Sequence, residues 1–180
     1  MRALIVIDYT NDFVDGSLPV GQPGIDIEAK ICQLTDQFLA SKDYVVMAVD
    51  LHEKNDVYHP ESKLFPPHNL RDTEGRNLYG QLNHVFENNM DAIYWMDKTR
   101  YSAFAGTNLE IKLRERGITE LHLVGVCTDI CVLHTAVDAY NKGFSIVVHE
   151  DAVASFNPEG HQWALGHFQG SLGAKVVKGE

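Results

Sequence analysis

Cysteine is scarce in this sequence: 180 residues contain three, Cys32, Cys127 and Cys131. An odd and sparse set cannot form a disulfide framework, so a reducing compartment, the cytoplasm, is the expected location. Long hydrophobic runs are missing too. The apolar stretch from Ala3 to Ile7 is ended by Asp8 and is too short for a signal peptide. No stretch approaches the ~20 apolar residues of a membrane span. Basic charge is also short, with 15 Lys and Arg against 25 Asp and Glu, a net charge of -10, and no Lys/Arg cluster. Nucleic acid and anionic membranes are therefore not expected as partners. Repeats, linkers and low-complexity tracts are absent. What remains is a chain of single-domain length, 1–180, able to remove roughly 70% of its unfolded surface from water without staples.

Apolar runs rich in β-branched residues occur at 3–7, 44–49, 92–96, 121–126, 144–148 and 174–177. Near-continuous runs of this kind suit strands covered on both faces. Helical spacing or capping signals fall between them at 26–41, 107–116, 129–142 and 158–172, the last opening with Pro158 and closing at Gly173. The alternation predicts a three-layer α/β/α fold with a mostly parallel six-stranded sheet and helices on both faces. One segment, 51–91, is far too long for an ordinary connection, so it is expected to be functional or locally structured. Residues 110–116 read as a solvated helix face, Asp129 as a helix cap, and His134 as a satisfied core histidine.

In an open parallel sheet, ligands sit beyond the carboxyl ends of the strands. The predicted ends carry Asp8, Asp50, the pair Asp97 and Lys98, and the segment Gly125–Cys131. A cysteine in a helix's first turn, where Cys131 falls, feels a field that favours thiolate; the same position also suits a small buried apolar residue. Asp8 follows an apolar run, where burial should raise its pKa toward the range of a useful base. Lys98 could hold both groups in their charged forms, or form a plain strand-end ion pair with Asp8. Asp50 and His52, two apart in extended chain, project to one side, with Glu61 and His68 following in the long segment. Two imidazoles and two carboxylates suit zinc, iron or manganese.

Three blocks, Ile7–Phe13, Asp97–Phe104 and Gly125–Val132, resemble in this order the signature blocks of the isochorismatase-like cysteine hydrolases. Asp50 to His52, followed by Phe65 to Asn69, is similar to the metal-binding blocks of the bacterial nicotinamidase branch of that family. The resemblance extends from residue 1 to about 178. It implies a catalytic triad of Cys131, Asp8 and Lys98, a cis peptide at Val126–Cys127, and an oxyanion hole from the N–H groups of Cys127 and Cys131. It places the ligands of one divalent ion, zinc before iron or manganese, at Asp50, His52, Glu61 and His68, with His59 a rival to Glu61. Phe13, Phe65 and Tyr101 fall where relatives build the pocket for a flat ring. The implied reaction is hydrolysis of nicotinamide (or a close analogue such as pyrazinamide) to the acid and ammonia through a cysteine thioester, within NAD salvage. The ion would orient the pyridine nitrogen. Relatives are commonly homodimers or homotetramers. The alternative within the fold is an amidohydrolase of N-carbamoyl or ureido compounds, which offer no ring nitrogen. A non-catalytic nucleotide- or metal-binding domain is disfavoured, because the first strand runs into Asp8–Phe13, with two acids that a pyrophosphate would avoid and no Gly-rich loop.

Overall fold

The computed structural model describes residues 1–179 and contains one six-stranded sheet, every pairing of which is parallel. The chain runs β1 (Arg2–Ile7), α1 (Asn11–Val14), α2 (Gln22–Asp26), α3 (Glu28–Ala40), β2 (Tyr44–Asp50), α4 (Gly80–Asn88), β3 (Ile93–Lys98), α5 (Leu109–Arg114), β4 (Glu120–Val126), α6 (Leu133–Asn141), β5 (Ser145–Ala154), α7 (Pro158–Gly170) and β6 (Lys175–Val177). The spatial order is β3-β2-β1-β4-β5-β6, so strand order reverses between β1 and β4. That reversal opens a crevice at the carboxyl ends of those two strands.

The unbroken apolar runs follow from burial on both faces. Alternate residues of β1 serve different cores. Ala3, Ile5 and Ile7 pack with Leu109 and Leu113 of α5, Ala136 and Ala139 of α6 and Phe168 of α7. Leu4 and Val6 pack with Ile31, Leu34 and Phe38 of α3 and Leu82 of α4. All six expected strands form, and helices cover both faces as expected.

Three local differences have physical causes. β5 extends to Ala154, well past the expected 148, because the polar run His149, Glu150 and Asp151 hides its continuation. The register shifts between Leu123 and Gly125, after which Val153 and Ala154 resume pairing with Gly125 and Val126. Gly125 has φ +111, and a Cβ there would stand 2.0 Å from the Ile7 carbonyl oxygen, so only glycine lets β4 approach the end of β1. The segment 51–91 contains two 3₁₀ turns, at Pro60–Lys63 and Glu74–Arg76, and then α4. Among the helix's residues only Leu82 is fully buried, too thin a stripe to show as a period in the sequence.

The stretch expected to begin one α-helix at 129 instead opens with a π turn, Thr128–Val132, before α6. The N–H groups of Ile130 and Val132 both donate to the Cys127 carbonyl, at 3.1 Å each. Asp129 does not cap its own helix. It accepts a hydrogen bond from Ser155 Oγ at 2.6 Å and lies against Gly160 in the first turn of α7. His134 is exposed rather than in the core; its Nδ1 faces the Ile130 carbonyl at 2.7 Å.

Candidate active site

The ends of β1, β2 and β3 and the turn after β4 meet in the crevice, and each supplies a side chain that the sequence singled out. Asp8 leaves β1 in a left-handed conformation, φ 54, with its carboxylate fully buried. Its Oδ1 accepts the N–H of Asp50 at 2.8 Å. Its Oδ2 lies 2.8 Å from Lys98 Nζ. Lys98, at the end of β3, also stands 3.8 Å from Cys131 Sγ and 3.5 Å from Asp50 Oδ1, and donates to the Arg100 carbonyl at 3.0 Å. The Cys131 thiol completes the group, near enough to Asp8 for each to shift the other's ionisation. The peptide between Val126 and Cys127 is cis. Asp97, adjacent to Lys98, points away from the group and pairs with Arg76.

Electrostatics distribute the charge unevenly. Burial pushes Asp8 up, against the pull of Lys98, to about 6. Burial also raises the Cys131 thiol well above its ordinary value, with Lys98 opposing. The expected thiolate bias of a helix start is therefore overridden, and the resting sulfur keeps its proton. Burial would discharge Lys98, but Asp50, Asp8 and Cys131 hold it firmly cationic. Cys127 has no such neighbour. Burial sends its thiol to about 12, offset only by weaker effects, chief among them an N–H from Phe156.

A second group shares Asp50 with the first. Asp50 Oδ2 lies 2.7 Å from His52 Nε2 and 3.5 Å from His68 Nε2, and Glu61 Oε2 is 3.5 Å from His68 Nε2 and 3.9 Å from His52 Nε2. The four buried side chains can bring one ligand atom each within 4.8 Å of all the others. His68 Nε2 and Asp50 Oδ1 are buried without a hydrogen-bond partner. Burial works against a charged His68 ring, yet Asp50 and Glu61 push it up to about 10, so the site calls for positive charge. Two imidazoles and two carboxylates at these distances fit a divalent cation. His59 is already committed: its Nδ1 accepts the Glu61 N–H at 3.2 Å and its Nε2 faces the Thr99 carbonyl at 2.8 Å. It caps the turn that presents Glu61.

The three aromatic candidates divide. Phe13 stands edge-on to His68 with ring centres 5.1 Å apart, and Phe65 reaches the same imidazole at 6.3 Å. Tyr101 meets His134 instead, the two rings tilted with centres 5.2 Å apart. A cavity of about 330 Å³ opens against the acidic and imidazole cluster, walled by His52, Glu61, Phe65, Pro66, His68 and Leu70. Phe13, Tyr101 and Cys131 do not line it. Cys131 is only 5% exposed, so access to the thiol is narrow.

Sequence reading missed the bracing around these groups. Arg76 donates from Nε to the Asp50 carbonyl at 2.7 Å and from Nη2 to the Val49 carbonyl at 3.2 Å, with its guanidinium over the Trp95 ring. Contacts to main-chain carbonyls impose no pattern on residue type, so the sequence carries no signal for them.

The sequence and the fold have counterparts among known proteins. The isochorismatase domain family matches residues 2–180. A crystal structure of nicotinamidase/pyrazinamidase PncA from Bacillus subtilis superposes with a TM-score of 0.97 at 61% identity, covering 98% of this chain and 99% of that one. The pyrazinamidase of Pyrococcus horikoshii in complex with zinc superposes with a TM-score of 0.88 at 30% identity, covering 99% of each chain. The nicotinamidase/pyrazinamidase of Mycobacterium tuberculosis is 32% identical over 173 residues, 88% of this chain and 89% of the relative.

Proposed function

The chain belongs to the isochorismatase family, and from that membership and its two joined side-chain groups we propose that it is a nicotinamidase, hydrolysing nicotinamide to nicotinate and ammonia. The observation that carries this reading is the sharing of Asp50. One carboxylate faces Lys98 of the Cys131 group with Oδ1 and the His52/Glu61/His68 group with Oδ2. A cysteine amidohydrolase acting on N-carbamoyl compounds has no ring nitrogen to hold and no use for the second group. Residues 51–91 are, in this reading, an excursion of a single domain that supplies metal ligands. The free cysteines suit a reducing cytoplasm, and the product suits NAD salvage.

Asp8 is the base and Cys131 the nucleophile. With a pKa near 6, Asp8 is largely ionised at neutral pH and takes the thiol proton as sulfur attacks the carboxamide carbon. Lys98 holds the resulting charges. The N–H groups of Cys127 and Cys131 receive the oxyanion. Asp8 then passes its proton to the amide nitrogen, the C–N bond breaks, and ammonia leaves a nicotinoyl thioester on Cys131. Water, deprotonated by Asp8, cleaves the thioester and restores the thiol. Asp50, His52, Glu61 and His68 would hold the divalent ion, zinc in first place with iron and manganese compatible with the donor set. When bound, it supplies a Lewis-acidic anchor for the pyridine nitrogen, which sets the carboxamide beside the thiol. Phe65, on the cavity wall, would flank the ring, with Phe13 behind the His68 imidazole and Tyr101 farther off against His134.

Because Asp8 must be ionised to act, kcat/KM is expected to fall about tenfold per pH unit below about 6 and to be level just above it. A rate profile flat down to pH 4.5 would remove Asp8 from the role of base. The function itself is tested by ammonia release from nicotinamide before and after chelation. Activity lost on chelation and regained with zinc, manganese or iron supports the assignment. Chelator-insensitive release from N-carbamoyl substrates, with none from nicotinamide, overturns it.

A further inference from the structure

Asp12 takes no part in the mechanism above, yet its carboxylate is buried, only 8% of the residue being exposed, and is held by neutral donors. Its Oδ1 accepts the Ser17 N–H at 3.2 Å and the Ser17 hydroxyl at 3.0 Å, and its Oδ2 accepts the Asn69 N–H at 2.8 Å. The loop closes tightly over it: a Cβ on Gly75 would stand 2.3 Å from Oδ2. Burying a carboxylate is costly, and the cost needs a structural return.

Asn69 shows where the return lies. It follows His68 directly, is fully buried, and sits in the left-handed region at φ 44. Its carbonyl accepts the N–H of His52 at 3.1 Å, and its side-chain Oδ1 accepts the Thr10 hydroxyl at 2.9 Å. Asn69 is thus bonded through the chain to one imidazole and through a hydrogen bond to the backbone of the other. Asp12 and Thr10, flanking the start of α1, tie Asn69 to the end of β1. None of the named contacts of Asp12 is to Asp8, Lys98 or Cys131.

We propose that Asp12 is a positioning residue for the divalent ion: by fixing Asn69 it sets the spacing of His52 and His68. The proposal rests on the reading that those two residues, with Asp50 and Glu61, bind a metal. An Asp12→Asn side chain can turn an N–H₂ donor toward the Asn69 or Ser17 donors, which leaves the Asn69 peptide less firmly held.

The test is zinc affinity of the full chain, measured by competition with a chromophoric chelator, for wild type and Asp12→Asn. The variant is expected to bind zinc ~10–100-fold more weakly, the usual cost of losing an outer-shell partner. Its metal-free Cys131 should alkylate within about threefold of the wild-type rate, and saturating zinc should restore turnover. If Asp12→Asn does not fold, Thr10→Val, which removes only the bond to Asn69 Oδ1, should weaken zinc binding by about threefold or more. Unchanged zinc affinity in the folded variant overturns the proposal, as does a loss of turnover that saturating zinc does not relieve. A wild-type protein that binds no divalent ion would instead defeat the metal reading itself.

Discussion

Cys131→Ala is expected to lower nicotinamide turnover by roughly 10⁴-fold or more, since the nucleophile and its thioester disappear together. Zinc affinity should survive, because Cys131 contributes no atom to the group of Asp50, His52, Glu61 and His68. Cys131→Ser should lose nearly as much. The sulfur already needs help to ionise in this buried place, and a hydroxyl ionises far less readily. Cys32→Ser, in α3, should retain full turnover. Steady-state ammonia release with metal content measured in parallel checks all three. A Cys131→Ala protein with a tenth of wild-type turnover would rule out covalent catalysis.

The second large effect is at the other end of the site. His68→Ala is expected to abolish tight metal binding, because it removes one of the four side chains proposed to hold the ion. Activity should fall by roughly 100-fold or more in kcat/KM, the order of loss when a reacting group is no longer aligned. Alkylation of Cys131 should continue, since His68 makes no contact with the sulfur, Lys98 or Asp8. His59→Ala should do less, by about an order of magnitude, because both its ring nitrogens are engaged elsewhere and it acts by capping the Glu61 turn. If His59→Ala lost metal and His68→Ala kept it, the ligand set would have to be redrawn.

The strands could be read from the sequence because their burial on both faces leaves a simple mark, seen in Val45 to Val49 or Leu121 to Val126. Where burial is partial the mark fades. α4 buries little beyond Leu82, and β5 passes through His149, Glu150 and Asp151 without apolar residues. Asp8, Asp50 and Lys98 stood out as chemically able residue types at strand ends, whereas the proposed triad and the proposed ligand set, with Glu61 and His68 in the long segment, came from the family resemblance. Glu61 and His59 stayed open because both types ligate metals, and only the hydrogen bonds of His59 separate them. While His134 bonds within its own turn, to Ile130, and faces outward, Asp129 was misplaced for a different reason: its partner, Ser155, is distant in sequence. The same holds for the bracing by Asp12, Asn69 and Arg76. It runs through backbone groups that every residue carries, so it becomes visible only in three dimensions.

The central claim is that the chemistry passes through a covalent bond to one sulfur. It is most directly tested by quenching the metal-loaded enzyme in acid during turnover and weighing the intact chain. The account predicts a mass increase of one nicotinoyl group, mapped by proteolysis to the peptide bearing Cys131, and a burst of ammonia ahead of nicotinate. A nicotinoyl group on another residue would contradict it, as would ammonia and nicotinate rising in step from the first turnover with no modified chain at any time.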